Sequence, residues 1–233
     1  MLKYLLCAAA LAAALVYAAL RRRGILPRNR FYGSGGRTLV CAGDGQTLGV
    51  GVKNRRRSYP AVLALLLGDE WRVGSFGSAG CTAAWSRRPY IASRACRRSF
   101  CASPAAVVLM LGTNDSREDN WHGGGEFYSA LLSLAQAYIG LPSAPRVIVV
   151  TPPCVFAPER GSACDTAPRA AETEQIAAAA LRAGLDAGAS VIDFHTISSA
   201  RRDWFDRTGC RLNAEGAAAL AKIIFASGAL DEV

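Results

Sequence analysis

Short apolar runs alternate with longer segments of helical periodicity along most of this chain. The apolar runs are rich in β-branched residues and nearly continuous, which is typical of strands covered on both faces of a sheet. They predict five strands, at 38–44, 71–77, 105–112, 146–153 and 190–195. Apolar positions at helical spacing predict helices at 58–68, 126–140, 167–188 and 213–226. The alternation predicts a three-layer α/β/α domain with a five-stranded, parallel, doubly wound sheet.

The N-terminal segment follows neither pattern. Residues 4–20 carry no charge and no helix breaker, and as a helix they would span about 26 Å, which is enough to cross a bilayer. Two interpretations remain open, a transmembrane anchor and a cleaved signal peptide. The arginines at 21–23 favour the anchor, because they disfavour export and cleavage. We therefore predict an anchor or signal segment over 1–21, a basic linker over 22–36 and a single domain over 37–230.

The basic excess of the chain belongs largely to this N-terminal segment. The formal net charge is +9, but residues 1–30 hold six basic residues and no acidic one, which leaves 21 basic against 18 acidic residues for the rest. A domain so nearly neutral lacks the dense cationic face that nucleic-acid binding requires, so no nucleic-acid partner is expected. With 51% apolar residues, the composition is that of a globular protein and excludes disorder and coiled coils.

The location of the domain relative to the membrane stays open at this stage. The sequence predicts a single-pass, membrane-anchored protein, and the arginines after the apolar run place the domain in the cytosol by the positive-inside rule. The cysteines favour the oxidising secretory pathway instead, since Cys96 with Cys101, and Cys154 with Cys164, are close enough in sequence to close loops. No Cys-x-x-Cys pair occurs, and the two histidines are not spaced like metal ligands, so neither a metal nor a cofactor is expected.

Polar, glycine-rich turns follow the first three predicted strands, where parallel sheets place their ligands. They read Gly-Asp-Gly-Gln-Thr-Leu-Gly at 43–49, Phe-Gly-Ser-Ala-Gly-Cys-Thr at 76–82 and Gly-Thr-Asn-Asp at 112–115. Each alone is ordinary turn chemistry. In this order, with Leu-Asn-Ala-Glu-Gly at 212–216, they resemble the SGNH/GDSL hydrolase family, and more narrowly its branch of sialate O-acetylesterase-like and other carbohydrate esterases. The resemblance covers about 38–226 and implies a flavodoxin-like fold.

The resemblance also implies an altered active site. In this family a Ser attacks the ester, an Asp-x-x-His block activates the Ser, and two backbone N–H groups with an Asn amide bind the oxyanion. The matching donors are Gly45, Gly77 and Asn114, but Gly45 stands at the Ser, Thr208 at the Asp and Arg211 at the His. A guanidinium stays protonated and cannot act as a base. Since losing such a triad costs on the order of 10⁶ in turnover, no catalytic residue is intact and a pseudoenzyme is expected.

The altered site suggests a binding role. The N–H groups of Gly45 and Gly77, the Asn114 amide and the Arg211 guanidinium would form a cluster of donors with one fixed positive charge, which suits a carboxylate, sulfate or phosphate. The leading interpretation is a protein that binds an acidic or acylated carbohydrate without hydrolysing it. In the alternative, Arg211 pairs with a nearby carboxylate such as Glu215 or Asp206, and the pocket has no ligand. A surface interaction or scaffold protein is a further alternative.

A working ester hydrolase with relocated catalytic residues also stays open. Ser78 lies one residue from a Gly-x-Ser-x-Gly pattern, and His122 follows the third glycine-rich turn, but a solvated loop histidine is the simpler interpretation. His195 is expected at the end of the fifth strand, where a hydrogen-bonding role is favoured over catalysis. Asp44 and Asp115 are most simply carboxylates that cap turns and helices.

Overall fold

A computed structural model describes residues 30–162 and 167–231 of the chain. The predicted anchor or signal segment lies outside these residues, as does Cys164, so both remain predictions. Within the described ranges, no helix has the length and apolar character needed to span a bilayer. Cys96 and Cys101 are both free thiols, the first buried and the second exposed.

The predicted α/β sheet is confirmed, with one additional strand. The strands are β1 (Arg30–Tyr32), β2 (Arg37–Gly43), β3 (Trp71–Gly77), β4 (Ala106–Met110), β5 (Arg146–Val150) and β6 (Ser190–Ile192). Their order across the sheet is β1-β3-β2-β4-β5-β6, and the last five run parallel. Strand β1 pairs antiparallel with β3, so the expected five-stranded parallel sheet is a six-stranded mixed one.

Strand β1 lies within the segment that was predicted as a linker. It has only three residues, too few for a periodic pattern, and it sits among arginines. Tertiary contacts hold it in place: the Phe31 ring meets Phe76 edge-on at 5.7 Å between ring centroids, and the Arg72 guanidinium lies 4.6 Å from the Phe31 centroid. The strand therefore depends on side chains of its neighbour rather than on a pattern of its own.

Helices cover both faces of the sheet. They are α1 (Gly45–Leu48), α2 (Tyr59–Leu67), α3 (Arg94–Phe100), α4 (Gly124–Ile139), α5 (Ala170–Asp186), α6 (Phe194–Ser198) and α7 (Ala214–Ala226). Successive residues of a strand point to opposite faces, so Leu39 and Cys41 of β2 pack with α2 and α7, whereas Val40 and Ala42 pack with α3, α4 and α5. The two faces thus form separate apolar cores on either side of one sheet.

The fifth predicted strand is shorter than expected. Strand β6 ends at Ile192 because the Asp193 side chain accepts a hydrogen bond from the Thr196 N–H at 3.1 Å and so caps helix α6. His195 therefore lies in the first turn of α6 rather than at the end of a strand. Its backbone N–H donates to Thr151 Oγ1 at 2.7 Å, and burial lowers the pKa of its half-buried imidazole.

Candidate ligand-binding site

The turn between β2 and α1 forms one wall of a cavity at the carboxyl ends of the strands. Asp44 caps α1, because its Oδ1 accepts a hydrogen bond from the Gln46 N–H at 2.9 Å, and this confirms its predicted capping role. Gly45 is the first residue of α1, and its own N–H has no acceptor within the described part of the chain. A free N–H at the start of a helix is a ready donor for an anionic or carbonyl oxygen.

Gln46 joins this turn to a segment far along the chain. Its Nε2 donates to the Cys210 carbonyl oxygen at 2.7 Å, and the Leu212 N–H donates to its Oε1 at 3.1 Å. Both polar atoms of this buried side chain are therefore used to hold residues 210–212 against α1. Arg211 consequently lies beside Gly45, as the sequence predicts, through a residue that the sequence did not single out.

The cavity enclosed by these segments has a volume of about 240 Å³. It lies where β2 has β3 on one side and β4 on the other, which is the switch in strand order at which ligands bind in such sheets. Its lining includes residues from several turns that offer backbone N–H groups or polar, charged or reactive side chains. These residues are Asp44, Gly45, Gly80, Arg88, Asn114, Arg117, Cys210 and Arg211. Three of the predicted site residues, Gly45, Asn114 and Arg211, thus share one cavity.

Gly77 is not in the cavity wall, and Gly80 takes the place expected for it. A Cβ at Gly77 would collide with backbone atoms of Asp44 and Leu48, so this glycine serves the close approach of β3 to α1. The Ser78 N–H donates to the Gly43 carbonyl oxygen at 2.9 Å, so the hydrogen bonding between β2 and β3 continues one residue past Gly77. The turn that reaches the cavity therefore begins after Ser78. Gly80 has a φ of 76°, a left-handed conformation that favours glycine.

The Asn114 amide braces the cavity wall instead of offering a free donor. Its Nδ2 donates to the Cys81 carbonyl oxygen at 2.9 Å and to Asp44 Oδ2 at 3.1 Å. An amide nitrogen carries two hydrogens, so both are directed at protein acceptors. The expected role of Asn114 as an oxyanion donor is therefore not realised in this arrangement. The N–H groups of Gly45 and Gly80, both in the cavity wall, have no acceptor among the described residues.

Two buried carboxyl groups, Asp44 and Asp115, have raised pKa values at or near the cavity. Burial, together with the charge of Asp115, raises the pKa of Asp44 to about 7, although the Gln46 N–H and the charge of Arg117 act to lower it. Burial also raises the pKa of Asp115 to about 6, against hydrogen bonds from the N–H groups of two alanines, Ala84 and Ala83. Asp44 is thus close to half-protonated at neutral pH, and it is the carboxyl group in the cavity wall.

Three arginines give the cavity its positive charge. Arg88, Arg117 and Arg211 all line it, and none forms an ion pair with an acidic side chain anywhere in the described residues. The Nε of Arg117 is buried and has no hydrogen-bond acceptor there. Arg211 does not pair with Asp206, whose Oδ1 instead accepts hydrogen bonds from the N–H and hydroxyl of Thr208. The sequence analysis identified only Arg211, because Arg88 and Arg117 lie in loops whose conformation no sequence pattern indicates.

The remaining predicted candidates lie elsewhere. Thr208 is not in the cavity wall. Its Oγ1 lies 3.2 Å from Sγ of Cys210, and Cys210 does line the cavity. Ser78 Oγ accepts a hydrogen bond from the Cys81 thiol at 3.0 Å and does not line the cavity. His122 is exposed, and His195 belongs to helix α6. Among the residues that the structure describes, no imidazole and no serine hydroxyl lines this cavity.

The fold and this cavity define a three-layer α/β/α protein of the hydrolase type, with its site at the carboxyl ends of the central strands. The sequence model of the GDSL-like lipase/acylhydrolase family matches residues 41–219, which is most of the chain. The protein belongs to this family, as the glycine-rich turns predicted.

Individual relatives agree with this assignment. The chain is 28% identical over 208 residues to an acetylxylan esterase of Xylanibacter ruminicola, covering 81% of this chain but 42% of that protein. In structure it is similar to an aryl esterase of M. smegmatis (TM-score 0.66, 19% identity, 82% of this chain and 98% of the other). It is likewise similar to a carbohydrate acetylesterase of Sinorhizobium meliloti (TM-score 0.65, 19% identity, 83% and 98%). At such identities the two structures establish the fold, and the protein is an esterase-fold relative of carbohydrate acetylesterases.

Proposed function

We propose that this protein is a catalytically inactive member of the family that binds an acidic or acylated carbohydrate in the cavity beside Arg211. The observation that carries the proposal is a guanidinium without an ion-pair partner in the described chain, facing a cavity where residue 45 has no side chain. A carbohydrate is the favoured class of ligand because the acetylxylan esterase and the carbohydrate acetylesterase act on carbohydrates by name.

The chemistry of the cavity supports the loss of hydrolysis. Ester hydrolysis by this fold needs an activated hydroxyl and a base with a pKa near neutrality. Gly45 supplies no hydroxyl, Arg211 supplies no base, and Thr208 binds Asp206 outside the cavity. The donors that survive, the N–H groups of Gly45 and Gly80, can hold a carbonyl or carboxylate oxygen but cannot form a covalent intermediate.

The charge of the cavity supports an anionic ligand. Arginine binds a carboxylate through two parallel hydrogen bonds, which gives both energy and orientation. Arg88 and Arg117 line the same cavity, so a carboxylate on a sugar ring can meet more than one guanidinium there. An acetyl group would use the same N–H donors through its carbonyl oxygen, without the contribution from charge.

A calorimetric titration tests the proposal. The full-length protein is titrated with D-galacturonate and with D-galactose, a matched pair that differs in the carboxylate. We expect galacturonate to bind more tightly, and Arg211→Gln to weaken it at least about tenfold because a charge-assisted, two-point contact is lost. An exposed arginine remote from the cavity, Arg94→Gln, is the control. Equal or absent binding of the two sugars, or no effect of Arg211→Gln, contradicts the proposal.

One observation favours a second candidate function, an active ester hydrolase with a relocated nucleophile. Cys210 lines the cavity, its thiol lies 3.2 Å from Thr208 Oγ1, and that hydroxyl donates to Asp206. A thiol is a stronger nucleophile than a hydroxyl, although this chain of groups contains no base like histidine. Hydrolysis of p-nitrophenyl acetate well above the buffer rate, abolished by Cys210→Ser, would replace the inactive assignment with this one.

A further inference from the structure

A second cavity adjoins the first. It has a volume of about 430 Å³ and shares Gly80, Arg88 and Arg117 with the first cavity, so these residues form a common boundary. Its own lining adds a further arginine, Arg87, and one acidic residue, Asp119. Neither Arg87 nor Arg88 takes part in an ion pair within the described ranges. The two cavities therefore adjoin, and the arginines in their combined linings outnumber the two acidic residues, Asp44 and Asp119.

Hydrogen bonds hold the loop at residues 82–88, which carries Arg87 and Arg88, in one conformation. The buried Asp115 carboxylate accepts hydrogen bonds from the N–H groups of Ala83 and Ala84, each at 2.9 Å. The hydroxyl oxygens of Thr82 and Ser86 lie 2.6 Å apart, and the Thr82 N–H donates to the Arg88 carbonyl oxygen at 3.2 Å. Both ends of the loop are thus anchored before any ligand arrives, which lowers the entropic cost of binding.

An exposed indole stands on the same loop. The Trp85 side chain has 71% of its surface exposed, and it directly precedes Ser86, which lines the second cavity. None of the ring–ring or cation–π contacts in the described part of the molecule involves Trp85. An exposed aromatic ring without a ring partner offers a flat apolar surface on which a sugar ring can stack.

We infer that the two cavities bind one acidic oligosaccharide, with one acid group at Arg211 and the next at Arg87 and Arg88. The inference rests on the proposed function, because it extends the ligand of the first cavity into the second. A single uronate occupies the first cavity and leaves the second cavity empty. A chain of linked uronates places a further carboxylate at Arg87 and a sugar ring beside Trp85. The ligand class is therefore an oligosaccharide with an acid group on successive residues.

The dependence of affinity on ligand length tests this inference. The full-length protein is titrated with galacturonate and with its di- and tetrasaccharide. We expect the tetrasaccharide to bind at least about tenfold more tightly than the monosaccharide, as when a second contact becomes intramolecular. Trp85→Ala and Arg87→Gln should remove this gain and leave monosaccharide affinity unchanged. Both side chains are exposed, so neither change should disturb folding.

The controls separate this inference from the proposed function. Arg211→Gln should weaken the mono- and tetrasaccharide alike. A monosaccharide that binds through Arg211 without any gain from length refutes the extended groove and leaves the proposed function intact, whereas absence of binding by every sugar refutes both. Linear polyphosphate of matched charge is the last control. Polyphosphate that binds as tightly as the tetrasaccharide, and equally well in Trp85→Ala, shows a groove for polyanions in general and overturns the assignment to carbohydrate.

Discussion

Binding of an anionic sugar should strengthen as the pH falls from 8 to 6, because Asp44 gains a proton in that range. Its carboxyl group lies in the wall of the first cavity, and burial together with the charge of Asp115 raises its pKa to about 7. When ionised, it places a negative charge beside the ligand and opposes the three arginines. A raised carboxyl pKa means that the neutral form prevails below pH 7, so the form that favours an anion is the one present at lower pH.

The size of the effect follows from the protonated fraction. With a pKa of about 7, Asp44 is about 10% protonated at pH 8 and about 90% protonated at pH 6. If the anion binds only the protonated form, its affinity scales with that fraction and rises about ninefold between these values. Binding at pH 8 should then take up about 0.9 proton for each ligand, and binding at pH 6 about 0.1.

Titration calorimetry measures both quantities. The proton uptake is obtained by repeating the galacturonate titration in buffers of different ionisation enthalpy, and galactose serves as the uncharged control. Asp44→Asn should bind with pH-independent affinity and no proton uptake. His122→Gln should behave like the wild type, since His122 is exposed and does not line the cavity. Wild-type affinity that stays constant from pH 6 to 8, or a pH dependence that persists in Asp44→Asn, would refute the reasoning.

Two further predictions concern the catalytic positions and the packing beneath them. Gly45→Ser, Thr208→Asp and Arg211→His together should give hydrolysis of p-nitrophenyl acetate at least about tenfold above the wild type, because the nucleophile regains its base; equal activity from the serine change alone would contradict this. Gly77→Ala should lower the free energy of unfolding in urea by about 2–4 kcal/mol, because its Cβ meets backbone rather than a flexible side chain. Gly36→Ala, whose Cβ meets nothing within 4 Å, is the matched control and should change it by less than about 0.5 kcal/mol.

The sequence predicted the strands well and the small elements poorly, for physical reasons. Each of β2 to β5 is largely buried between two layers of helices, so its residues had to be apolar and left a clear pattern. Helix α3 carries three arginines in seven residues and buries only Ala95, Cys96 and Ser99, so it showed no apolar stripe. Strand β1 was missed because pairing with β3, rather than its own three residues, defines it.

The candidate site was predicted in part. The turns directly after β2 and β4 were located correctly because strand ends fix them, and Gly45, Asn114 and Arg211 do share the cavity. Arg88 and Arg117 were not predicted, since they come from turns whose course depends on long-range hydrogen bonds such as those of Asp115. The role of Asn114 could not be read from its residue type either, because an amide that can serve a ligand can equally serve the Cys81 carbonyl oxygen.

The cross-chain link through Gln46 has a consequence for how such a protein can evolve. The groups that assemble the cavity are the Gln46 and Asn114 amides and the Asp44 carboxyl. They differ from residues 45, 208 and 211, the positions that the sequence resemblance assigns to the catalytic triad. Side chains at those three positions can therefore be exchanged while the shape of the cleft persists. Under the proposed function, a change between catalysis and binding therefore requires substitutions at three positions and no change in the residues that hold the cavity together.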